Sequence, residues 1–108
     1  MGSFAIGRNA SATNFRSFAI GPNAQARGTQ FDGQAGAFAI GENASAMQRS
    51  SFAIGRNART DGVFSIAIGD GAISDRGVAI GGGAQVTGLN GNAFGDTAEA
   101  SRDRATAL

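Results

Sequence analysis

Large and small apolar residues alternate in short bursts along the chain, and the bursts recur on a schedule. Phe-Ala-Ile-Gly occurs at Phe4-Gly7, Phe18-Gly21, Phe38-Gly41 and Phe52-Gly55. It relaxes to Ile66-Ala67-Ile68-Gly69, Val78-Ala79-Ile80-Gly81 and Asn92-Ala93-Phe94-Gly95. The central alanines stand at 5, 19, 39, 53, 67, 79 and 93, so the steps are 14, 20, 14, 14, 12 and 14. Period-2 alternation with β-favouring residues predicts a short strand in each burst. A second alternating segment follows each Gly: Ala10/Ala12, Ala24/Ala26, Ala44/Ala46, Ala58/Thr60, Ala72/Ser74, Ala84/Val86 and Ala98/Ala100. Two residues after the Gly come Asn9, Asn23, Asn43 and Asn57, then Gly71, Gly83 and Thr97. Asn and Gly there predict a turn with positive φ. Each repeat therefore reads as strand, turn, strand, turn. A fixed period of this size marks one unit stacked on copies of itself.

The predicted fold is all-β, a solenoid of 14-residue coils with two parallel-sheet walls. At ~4.8 Å per strand, seven coils rise about 34 Å. Frequent Gly and the period of 2 argue against helix. Facing walls pack when bulky residues oppose small ones. This places Phe4, Ile6, Phe18, Ile20, Phe38, Ile40, Phe52, Ile54, Ile66, Ile68, Val78 and Ile80 inside the coil as the structural core, against the paired alanines. On that facing, Ala5 and its copies line the outside of the first wall, and Ile54→Asp places an unpaired charge inside a coil. So thin a coil encloses little apolar volume, and a cyclic homo-oligomer resolves the deficit.

Departures from the period fall in the second turn. Six extra residues lie between Gly28 and Ala37 and include Phe31, Asp32 and Gly33. That loop is the candidate ligand-binding segment, since inserts within repeats map to loops. The step from Ala67 to Ala79 is two residues short, which predicts a tighter turn at Asp75-Arg76-Gly77. At the end, Thr106-Ala107-Leu108 opens an eighth repeat. Neither end has a capping repeat. Residues 1–108 thus read as one segment of seven repeats plus the start of an eighth, cut from a longer protein.

Composition narrows the function classes. The 108 residues include 18 Gly and 8 Phe but no Trp, Tyr, Cys or His. Without His or Cys, Ser-His triads, thiol nucleophiles and the usual zinc sites are absent, and without Lys there is no P-loop. No catalytic residue, metal or cofactor is expected. Asp70 and Asp75 lack the Gly-Gly-x-Gly-x-Asp series of the calcium nonapeptide. Asn9-Ala10-Ser11 and Asn43-Ala44-Ser45 match the N-glycosylation pattern, but Asn there already serves the turn. Formal net charge is +1. After the repeat Gly stand Arg8, Pro22, Glu42, Arg56, Asp70, Gly82 and Asp96, a mixture of signs rather than the aligned basic face that nucleic acid needs. No apolar run reaches the length of a membrane helix.

The unit Ser17-Phe18-Ala19-Ile20-Gly21-Pro22-Asn23-Ala24-Gln25-Ala26-Arg27-Gly28 resembles the head repeat of trimeric autotransporter adhesins of the YadA-like kind. Ser3, Ser17 and Ser51 precede the tetrapeptide as in that family, and the likeness covers essentially the whole chain. Phe where Val is common, the long insertion, and Asn92 and Phe94 in the seventh copy depart from it. The resemblance implies a left-handed parallel β-roll wound into a homotrimer, intertwined or side by side. It implies an extracellular place on a Gram-negative cell, held to the outer membrane only through an anchor domain outside this segment. It also implies attachment to host extracellular matrix, a cell-surface receptor or other surfaces. A bacteriophage tail fibre or structural spacer built on the same repeat is the alternative. Left-handed helix acyltransferases repeat in hexapeptides, which the steps of 14 contradict.

Overall fold

The computed structural model describes residues 2–14, 16–28 and 36–108. Phe31, Asp32 and Gly33 lie outside the described residues. Fifteen strands alternate between two walls, and no helix occurs among the described residues. The first wall holds β1 (Phe4–Ile6), β3 (Phe18–Ile20), β5 (Ala37–Ile40), β7 (Ser51–Ile54), β9 (Ile66–Ile68), β11 (Gly77–Ile80), β13 (Gly91–Phe94) and β15 (Thr106–Ala107). The second holds β2 (Ser11–Ala12), β4 (Gln25–Ala26), β6 (Ser45–Ala46), β8 (Arg59–Thr60), β10 (Ile73–Ser74), β12 (Gln85–Val86) and β14 (Glu99–Ala100). Each wall is a parallel sheet whose order follows the chain, so each coil pairs only with the coils above and below. The register aligns the repeats residue on residue: Phe18 with Phe38, Ala19 with Ala39, Ile20 with Ile40. The resulting slab measures 37 × 28 × 12 Å.

The first turn explains the invariant Gly and the recurrent Asn. In each of the seven copies the N–H three residues after the Gly donates to the Gly carbonyl at 3.2 Å, as Ala24 does to Gly21. Pro22 fixes a negative φ at the second turn residue, while Asn23 has φ 60, which defines a type II turn. The Gly itself faces a neighbour. At Gly55, with φ +128, a Cβ would stand 2.6 Å from the carbonyl oxygen of Gly69 in the next coil. Turns stack through axial bonds such as Asn57 N–H to Glu42 C=O at 2.9 Å.

The interior is the reverse of the sequence expectation for the first wall. Ala19, Ala39, Ala53, Ala67, Ala79 and Ala93 point inward and are fully buried. They meet Ala24, Ala26, Ala44, Ala46, Ala58, Ala72, Ala84, Val86 and Ala100 of the second wall, whose inward facing is as expected. The twelve large residues expected inside do not lie there. Phe18, Ile20, Phe38, Ile40, Phe52, Ile54, Ile66, Ile68 and Val78 are half-buried on the outer face of the first wall, and Phe4, Ile6 and Ile80 are exposed. The physical reason is the turn. Four residues separate the strands of the two walls, as 21–24 do between β3 and β4, and the 3.2 Å bond closing the turn draws the walls together until only side chains as small as Ala, Ser, Thr and Val fit between. Ser17, Ser51 and Ser65 share the inward parity and are also fully buried. Ser65 Oγ donates to the Gly62 carbonyl at 2.6 Å, and Ser74 Oγ to Gly77 at 2.8 Å.

Candidate interaction surface

With the large apolar residues turned outward, the first wall presents two parallel rows along the stack. One runs Phe4, Phe18, Phe38, Phe52, Ile66, Val78, then Asn92 and Thr106. The other runs Ile6, Ile20, Ile40, Ile54, Ile68, Ile80 and Phe94. In-register pairing stacks the rings face on face. Centroids lie 4.9 Å apart for Phe18–Phe38 and 4.8 Å for Phe38–Phe52, with interplanar angles of 6° and 4°. These spacings equal the strand repeat, so the backbone and not ring preference sets the stack. The stripe remains open in the single chain: Phe4 is 53% and Ile6 52% exposed at its first coil. A continuous exposed apolar stripe is the kind of patch at which proteins meet partners or ligands.

The opposite face is polar. Outward residues of the second wall are Ser11, Gln25, Ser45, Arg59, Ile73, Gln85 and Glu99, one per coil and mostly exposed. The two walls thus divide the roles of the slab, one face apolar and one solvated.

The first-turn edge carries the mixed charges read from the sequence. Arg56 donates to Asp70 one coil on, with Nη2 2.6 Å and Nε 3.4 Å from the two carboxylate oxygens. That hydrogen bond holds the Asp70 carboxyl below the ordinary carboxylate range and raises the Arg56 guanidinium. Both side chains are more than half exposed, so the pair trims the edge rather than anchoring it. On the second wall Arg59 Nε donates to Asp61 Oδ1 at 2.9 Å, which raises the Arg59 guanidinium likewise. Among the described residues no group of acidic, His or Cys side chains is arranged to hold a metal, and no helix is long and apolar enough to cross a membrane.

The sequence that folds into these 14-residue coils matches a family model. The YadA head domain repeat (2 copies) matches residues 1–24, 12–30, 48–72 and 93–108. The chain belongs to this family. The matched segments cover coils at both ends of the stack and the regular coils in its centre. No curated protein matches the chain. As a YadA head repeat, the chain presents an apolar stripe, a polar wall and two turn edges.

The sequence could have revealed the stripe. The inward position is Ala in all seven copies, while the outward one varies through Phe, Ile, Val and Asn92. A buried site that tolerates only Ala is short of room, and a site that accepts Asn92 beside Phe faces outward.

Proposed function

We propose that this chain is a segment of an adhesin head that attaches a Gram-negative bacterium to host matrix, cells or other surfaces, without catalysis. Three copies pack their apolar stripes about a common axis as a left-handed roll. The polar second walls and the turn edges then form the outside of a stiff fibre, held at the outer membrane by segments beyond this chain. The observation that carries this reading is the in-register Phe/Ile stripe on one face of a YadA head repeat. It is unused inside the coil and requires a partner of the same repeat, and threefold closure covers it in every copy at once. Each outward feature then appears three times per fibre and many times per cell, so weak contacts sum to firm attachment.

The test is attachment of the purified chain to surfaces coated with collagens, fibronectin, laminin or whole cells. Retention on one coating, lost in a coil-breaking variant such as Gly55→Ala, supports the reading. Absence of retention on every coating counts against it and favours a spacer.

A further inference from the structure

From the last residue of a second-wall strand to the Phe/Ile-row position of the next first-wall strand, the chain takes five residues at 47–51, 61–65, 87–91 and 101–105, but only three at 75–77. The neighbouring turns overhang the short one. Between them lies a notch of about 330 Å³, lined by Arg49, Val63, Phe64, Arg76, Gly77 and Asn90. Phe64 stands out in it. The fourth residue of the five-residue turns is left-handed in several coils: Arg16 (φ 57), Ser50 (φ 53), Asn90 (φ 57) and Arg104 (φ 59). Phe64 adopts the same φ of 57, a conformation bulky side chains rarely take. The residue is nonetheless 67% exposed, so packing within the chain does not compensate the strain. Arg49 stands over the ring, its Cζ 5.6 Å from the centroid. Among the described residues the ion pairs are those of Arg56 and Arg59, so Arg49 and Arg76, like the remaining arginines, carry none.

We propose that this notch binds an acidic sugar ring carried on a glycan. The two guanidiniums supply donors whose geometry suits a carboxylate. The phenyl face gives the C–H face of a pyranose an apolar seat, and the Asn90 amide offers both donor and acceptor to hydroxyl groups. The volume is at the small end of ligand sites, which suits one ring rather than a peptide segment. Strain kept at an exposed aromatic beside two unpaired cations is the pattern of a binding position, not of a turn optimised for stability. The inference rests on the attachment reading and gives it a ligand class.

The test titrates the soluble chain by saturation-transfer NMR with methyl glucuronide and methyl N-acetylneuraminide. Methyl glucoside is the neutral control, and acetate the charge-only control. At least one acidic glycoside is expected to bind with a Kd on the order of millimolar, as a single small site allows. Phe64→Asn and Arg76→Gln each weaken it about tenfold. Phe64→Asn also keeps or raises the melting temperature, because Asn suits the left-handed turn; its loss of binding is therefore not unfolding. Two residues inserted after Asp75 restore the full turn, fill the notch and abolish binding. The proposal is overturned if neither acidic glycoside binds, if methyl glucoside or acetate binds as well, or if Phe64→Asn binds like wild type. Failure of the titration sinks the notch alone. Failure on every coated surface with the titration intact sinks the attachment reading instead.

Discussion

Replacing one glycine of the repeat tests the closeness of the coils. Gly55 has φ +128, a region open essentially to Gly, and entering it with a side chain costs about 1–3 kcal/mol. The added methyl also meets the next coil's backbone, with the Gly69 oxygen at 2.6 Å and its carbonyl carbon at 2.7 Å. Backbone cannot swing aside as a side chain does, and the Gly69 N–H is tied to the Ile54 carbonyl at 2.8 Å. Strain and overlap together put Gly55→Ala at roughly 3 kcal/mol or more of lost stability. For a domain near this size that is a melting-temperature drop of roughly 12 °C or more. Gly71 is the control. It has φ +74 with nothing within 4 Å of a Cβ, so Gly71→Ala bears only left-handed strain of about 1 kcal/mol. Asn9, Asn23, Asn43 and Asn57 hold the equivalent place at φ 60–61, so Gly71→Asn should fall within ~0.5 kcal/mol of wild type. Thermal melts followed by circular dichroism at one fixed protein concentration rank the three. Equal losses for Gly55→Ala and Gly71→Ala would refute the close stacking of the first turn.

Other substitutions probe the interior and the edges. Thr60 is fully buried with Oγ1 unpartnered, while Val86 occupies the aligned position two coils on. Thr60→Val should therefore stabilise by about 1 kcal/mol, read as a higher melting temperature. Ser65→Ala removes the 2.6 Å bond to the Gly62 carbonyl and should cost about 1 kcal/mol in the same assay. The Arg56–Asp70 pair has a sign fixed by its pKa direction. Asp70 is held low by the Arg56 hydrogen bond, so the pair's contribution is present above the ordinary carboxylate range and fades as pH falls through the lowered value. Both groups are exposed, so Asp70→Asn at pH 7 should move the melting temperature less than Thr60→Val does, and added salt should shrink the effect further.

Most of the architecture was legible from spacing. Coil length, strand–turn–strand order, parallel walls and the positions of the turns follow from the alanine steps and from Gly and Asn after each burst. Spacing alone could not give the sign of the first wall. Alternation places Ala53 and Ile54 on opposite faces but does not say which face is inside. The deciding quantity was wall separation, set by the short first turn, and it admits Ala53 and excludes Phe52. The face left uncovered in the single chain is the Phe/Ile stripe, not the alanine row expected to be the association surface. Ile54→Asp accordingly charges the outer face and tests the proposed association, while Ala53→Asp is the variant that charges the interior. The notch was half visible. The two missing residues at Asp75-Arg76-Gly77 announced a tighter turn, but the overhang of Phe64 and Asn90 depends on how successive turns align.

The central claim is that the outward stripe is an association face. Sedimentation equilibrium of the chain at micromolar concentration, beside Ile54→Asp, tests it most directly. The account predicts a β-structured species of three times the 10.8 kDa chain mass, lost in Ile54→Asp. A folded monomer of 10.8 kDa, or an Ile54→Asp variant that sediments like wild type, would contradict it.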